Sequence, residues 1–244
     1  MFELNVSFLL YANGVMGAAA LIGTLTGFGY ALLATPMLIL VMPPREVVPL
    51  VLLSSVVLLI LLAVESHREM DGRKISRWVL GALPGMFVGG YVLATVSDGT
   101  MKSVIGVITL CAAALLSLRP GRPWQREWPG ALGAGLFSGV LVGASGMSGP
   151  PVILFGLKQN WNHRVLRASL IGYFSIIHAL AVLVLGRIGV GGTENLFQLL
   201  SVLPGVFVGF ILGMKWRSRV NQTLFRTIAF GLLCASGALA LFGI

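Results

Sequence analysis

The sequence predicts an all-α, polytopic membrane protein built as two inverted repeats. Three observations predict it: an apolar composition, a short motif given twice, and two long apolar runs interrupted by glycine. Of 244 residues, 57% are hydrophobic and 10% are charged, against about 25% charged in a typical soluble domain. Several stretches reach the roughly 20 apolar residues that cross a bilayer, so the lipid bilayer is the first partner implied. The net charge of +9 sits in loops between spans, which argues against a nucleic-acid partner. The opening segment "MFELNVSFLLYANGV" has no basic n-region and no small-residue cleavage signal, so it is not expected to be a removable signal peptide. Cys111 and Cys234 lie in apolar segments and are expected as small buried side chains rather than a disulfide or metal ligands.

The repeat rests on offsets. Residues 83–89 read "LPGMFVG" and residues 203–209 read "LPGVFVG", an offset of 120 (203 − 83). Gly27 falls on Gly146 and Arg45 on Arg164, each at 119, and Cys111 falls on Cys234 at 123. A series of near-constant offsets marks internal duplication, with expected halves at 1–120 and 121–244.

Each half opens with a broken run and continues with three ordinary spans, giving 8–10 membrane segments in all. The first run, Leu4 to Met42, is broken at "TGFGY" (26–30), and its spans are expected near 47–64, 78–96 and 101–118. The second, 129–157, is broken at "GASGMSGPP" (143–151), with spans near 165–186, 196–214 and 222–243. A continuous helix over the first run would reach roughly 58 Å at 1.5 Å per residue, almost twice the hydrocarbon core, so the run must turn back. The pieces of the second run suggest half-helices meeting at mid-depth.

Loop charge tests the turn. If each broken run crosses once, Lys and Arg divide nine against eight, which orients nothing. If each run goes in and comes back, Arg45, Lys102 and Arg187 fall on one side and the other fourteen on the opposite side. The positive-inside bias then makes the second side cytoplasmic, with both termini outside. Each half makes an odd number of effective crossings, so the halves run in opposite directions. Inverted repeats with interrupted helices at mid-membrane are a recurring plan of secondary transporters. Uncovered N–H groups at helix N-termini favour a small anionic substrate.

The chain also resembles a known family, the TauE/SafE sulfite exporters. The residues that carry the resemblance are "GTLTGFGYALLATPMLIL" followed by "REVVPLVLLSSVV", and "GVLVGASGMSGPPVILF" followed by "RVLRASLIGYFS". The resemblance implies secondary transport of small sulfur-containing anions, such as sulfite, thiosulfate or organosulfonates, in a bacterial cytoplasmic membrane.

The candidate substrate-binding residues are Gly27, Phe28, Gly29 and Tyr30 at the first break, and Ser145, Gly146, Met147, Ser148 and Gly149 at the second. Ser54 and Ser55 lie in the span after the first break. Arg167, Tyr173 and His178 lie in the span after the second, Tyr173 being the repeat counterpart of Ser54. Plainer roles stand beside these: glycines permit close helix contact, span hydroxyls bond their own helix, and a histidine in a span can be a neutral packing group. A functional histidine there would suit a proton as coupling ion; sodium is the alternative. No catalytic, metal or cofactor motif is present: His67 and Glu69 lack the H-E-x-x-H spacing, and no P-loop lysine motif occurs. An integral-membrane enzyme or accessory protein whose breaks serve packing only is the competing function.

Overall fold

The computed structural model describes residues 6–117 and 123–217, together with positions 231, 234, 237, 238 and 241. Among the described residues the ordered elements are helical: α1 (Val6–Thr26), α2 (Tyr30–Leu38), α3 (Pro44–Ser66), α4 (Gly72–Thr95), α5 (Asp98–Ser117), α6 (Glu127–Ser145), α7 (Gly149–Lys158), α8 (His163–Arg187) and α9 (Thr193–Trp216). A single 3₁₀ turn, His67–Glu69, follows α3. Seven of these helices are long and apolar enough to cross a bilayer. The two others, α2 with 9 residues and α7 with 10, extend only ~14–15 Å. The protein is therefore an all-α integral membrane protein. The span expected at 222–243 lies outside the described residues, apart from isolated positions.

The second interruption differs from the half-helices expected there. In both runs a full-length helix, α1 with 21 residues or α6 with 19, is joined to a short helix that turns back along it. The turn needs left-handed backbone, which Gly29 (φ 94°) and Gly146 (φ 74°) supply without a Cβ clash. The Tyr11 hydroxyl on α1 donates to the Met37 carbonyl at 2.8 Å, fixing α2 antiparallel to α1. In the second run the Ser138 hydroxyl on α6 donates to the Ser148 carbonyl at 2.5 Å. Farther from that turn, Trp124 packs edge-on against Phe155 of α7.

The helix ends sort into two faces. On the first, Arg45 at the start of α3 donates to the Leu93 and Val96 carbonyls at the end of α4 and lies 3.9 Å from Asp98. Asn195, early in α9, donates to the Glu46 carbonyl on the same face. On the second, Glu65 at the end of α3 pairs with Arg217 after α9, and Arg77 faces Glu127 at 4.0 Å.

Two glycine seams set the direction of the hairpins. A Cβ on Gly89 of α4 would sit 2.1 Å from the Val140 carbonyl of α6, and one on Gly81 would sit 2.3 Å from that of Leu132. Helices α4 and α6 thus run side by side and parallel, their backbones almost touching, as small residues permit in membranes. Likewise Gly205 meets Asn13, Gly209 meets Gly17 and Gly213 meets Thr24, so α9 runs parallel to α1. The repeated "LPG…G" motif is therefore a seam-forming device. Hairpin α1–α2 opens from the Arg45 face and α6–α7 from the Glu65 face.

Pro204, inside α9, disturbs the helix, and the bond from the Gly205 amide to the Ser201 carbonyl is replaced. The Asn13 side chain takes its place: its oxygen accepts the Gly205 N–H at 2.8 Å and its amide donates to Ser201 at 2.9 Å. Such repair is required where no water reaches the backbone.

One expectation fails outright. Cys111 is exposed, and Cys234 is only half-buried. Helix α5 carries exposed Val107 and Leu115 as well, so its outward side is the apolar side, where a thiol is no liability.

Candidate functional site

The two interruptions line one cavity of about 30 Å³, room for a guest of water size. The first break contributes Gly27, Phe28, Gly29 and Tyr30, and the second contributes Met147, Ser148 and Gly149. Ser55 from α3 and His178 from α8 complete its polar lining. Leu58, Leu59 and Leu62 continue the wall along α3 toward the Glu65 face.

Each polar group has a local reason for its position. Ser148 stands at the N-cap of α7, where a serine normally turns its hydroxyl onto the N–H of the second or third helical residue. Those residues are Pro150 and Pro151, which have no N–H. Deprived of a cap target, the Ser148 hydroxyl lies 2.8 Å from His178 Nε2. On the opposite edge of the ring, His178 Nδ1 lies 2.6 Å from Ser55 Oγ. The imidazole thereby bridges α3 and the second break. Helix α2 begins at Gly29 with no side-chain cap, so the first N–H groups of α2 lie at the cavity wall without an intrahelical partner.

The remaining candidates stand one layer back. Tyr30 donates to Ser54 Oγ at 2.8 Å, and Ser54 in turn donates to the Leu50 carbonyl at 2.7 Å; Ser54 supports the Tyr30 wall. Tyr173 points away, donating to Ser138 Oγ at 2.7 Å and packing edge-on against Trp78. Ser145 donates to the Leu141 carbonyl of its own helix. Gly146 faces Thr35, Val48 and Leu52. Arg167 lies against Gly27, where a Cβ would come within 2.7 Å of its Cγ. Its terminal nitrogen donates to the Thr24 carbonyl at 3.0 Å, while Nε has no hydrogen-bond partner.

Two further contributors are not apparent from the sequence. Ser138 links Tyr173 to the Ser148 carbonyl, and Thr35 donates to the Ser145 carbonyl at 3.0 Å. Each is a hydroxyl with apolar or glycine neighbours in a helix, a pattern that ordinarily means bonding to its own backbone. The one signal that marks them is their place within a few helical turns of a break.

No solved structure matches the chain. A probable sulfite/organosulfonate exporter TauE from Cupriavidus necator is 26% identical over 240 residues, covering 94% of this chain and 92% of the relative. The family described as "Sulfite exporter TauE/SafE" matches residues 13–240, nearly the full length. The chain belongs to the TauE/SafE sulfite exporter family, whose members are membrane transporters and not enzymes.

Proposed function

We propose that this protein moves small sulfur-containing anions, among them sulfite, thiosulfate and organosulfonates, by alternating access at the cavity between the two breaks. The observation that carries this reading is that hairpins opening from opposite faces line a single cavity. The relative's name supports the substrate class and outward movement. The two halves, 1–120 and 121–244, act as inverted copies that exchange conformations. Their support is the repeated seam motif and the opposed directions of α1 and α6.

An organosulfonate exceeds the cavity's present volume, so loading requires the hairpins to part. Backbone N–H groups at the start of α2 meet the anion, with the hydroxyls of Ser55 and Ser148 beside them. Arg167, with an unpaired Nε behind Gly27, draws the anion from the Glu65 face. That face holds Arg68, Arg73, Lys74 and Arg77 around the α3–α4 connection, so it is the cytoplasmic one. The membrane is the bacterial cytoplasmic membrane, with both termini outside.

A dry packing role for the breaks predicts no solute movement. Purified protein in vesicles is tested for flux of radiolabelled sulfite, thiosulfate, methanesulfonate and, as a contrast, small carboxylates. Saturable flux of the sulfur anions is expected; flux of carboxylates alone, or of nothing, counts against the reading.

A further inference from the structure

The hydrogen-bond chain Ser55–His178–Ser148 assigns a tautomer. Ser55 Oγ lies 2.7 Å from the Leu52 carbonyl as well; with its proton donated there, the ring is the donor in the 2.6 Å contact with Nδ1. His178 therefore carries its proton on Nδ1, and Nε2 presents a lone pair. That lone pair accepts the Ser148 hydroxyl at 2.8 Å. In this state Ser148 has no proton left for an anion, and the cavity holds no formal charge.

We propose that transport is coupled to a proton at His178, one proton travelling with each monovalent anion. The inference rests on the alternating-access reading above and names its coupling ion. A proton from water adds to Nε2, which turns from acceptor to donor. The Ser148 oxygen then accepts from Nε2–H, and its own O–H swings into the cavity to donate to the anion. The imidazolium supplies the compensating charge. On release, the proton returns from Nε2 to water on the side where the anion leaves, and the Ser148 hydroxyl turns back to the ring.

Charge balance favours the coupling. Empty with a neutral ring, or loaded with anion and imidazolium, the site is neutral and can reorient. Either half-loaded form buries an uncompensated charge, which is costly. The nearby cation is Arg167, against Gly27 of the cavity wall. Its terminal nitrogen is committed to the Thr24 carbonyl and its charge is the same at every stage, so the charge that changes with the anion is left to His178. From α2 the titratable neighbour is Tyr30, whose hydroxyl is bonded to Ser54; from α3 and the second break come only the hydroxyls of Ser55 and Ser148. Among the described residues no Asp, Glu, Lys or Arg lines the cavity. Farther along α8, Arg187 lies ~14 Å from His178 by helical rise. Net flow follows the product of the anion and proton gradients, so accumulated product leaves as the free acid.

The test uses wild-type full-length protein in vesicles, with the membrane potential clamped at zero and the outside two pH units more acid. Methanesulfonate is the main probe because it stays ionised, so a proton moving with it must be carried by the protein; sulfite is the second probe. Accumulation of methanesulfonate inside, toward a ceiling of ~100-fold, is expected. Equilibration without accumulation, or accumulation that follows an imposed potential instead, overturns the proton coupling alone. No flux of either probe overturns the transport reading beneath it. His178→Gln keeps polar contacts with both serines but takes up no proton, so its anion-loaded site stays charged and folded H178Q should show neither pH-driven accumulation nor anion exchange. H178Q that accumulates like wild type overturns the assignment to His178. Should H178Q fail to fold, His178→Asn is the second variant, and folded H178N that accumulates like wild type overturns the assignment in the same way.

Discussion

The Thr35 hydroxyl donates to the Ser145 carbonyl across 3.0 Å, joining the returning helix of the first hairpin to the last residue of the entering helix of the second. Both residues are fully buried. Ser145 ends α6, where carbonyls lack intrahelical partners, so this bond satisfies a group that would otherwise stay unpaired. Thr35→Val keeps the shape and removes the donor. A loss of about 1–3 kcal/mol is expected, read as a lower melting temperature in detergent. A T35V protein as stable as wild type would mean that the hairpins are held by packing alone.

Gly149 opens α7 at the cavity wall, and a Cβ there would already stand 3.0 Å from Ile153 and 3.9 Å from Leu32. Gly149→Leu should fill the space between the breaks. Loss of vesicle uptake with normal membrane insertion and a monodisperse elution profile is expected. Uptake at the wild-type rate would remove the cavity from the transport path.

The seams give a contrast between two glycines. Gly89→Ala would place a methyl 2.1 Å from the Val140 carbonyl, whereas a Cβ on Gly133 of α6 meets nothing within 4 Å. G89A should force α4 from α6 and reduce folded yield sharply. G133A should gain up to about 1 kcal/mol from helix propensity. Equal melting temperatures for the two variants would show that the seam is not tight.

Asp71 caps α4, accepting from the Arg73 and Lys74 amides, and pairs with the Lys74 ammonium at 2.6 Å. The Lys74 hydrogen bond holds its carboxyl below the ordinary 3.8. A depressed carboxylate stabilises the fold above its unfolded-state value, and that contribution is lost as pH falls through the lower folded value. Asp71→Asn retains a cap oxygen but not the charge. Its stability should fall below wild type at pH 7, by no more than about 1 kcal/mol, and its melting temperature should converge with that of wild type below pH 3.8. A gap that stays constant down to acid pH would exclude the ion pair as its source.

The apolar runs, the glycine breaks and the "LPG" motif make the membrane class and the turning-back of the chain readable from the residues alone. Periodicity and composition act locally, and those features are local. The pairing of α4 with α6 and α1 with α9 is not, because a glycine shows that something comes close without showing what. Asn13 is the clearest case: nothing in "LLYANGV" indicates that its amide mends a proline break in a helix nearly two hundred residues away. His178 is legible as the lone histidine deep in a span. Its bond to Ser148 depends on two prolines stripping a cap of its targets, a connection that needs the α7 start to be known.

Each glycine seam is stitched from residues on opposite sides of the chain's midpoint, α1 to α9 and α4 to α6. Under the two-copy reading proposed above, a single copy would own one lip of each seam and neither complete closure. A half-length chain of this design could shut its backbone faces away from lipid only by clasping a second, oppositely inserted molecule, so its smallest stable form would be an antiparallel homodimer.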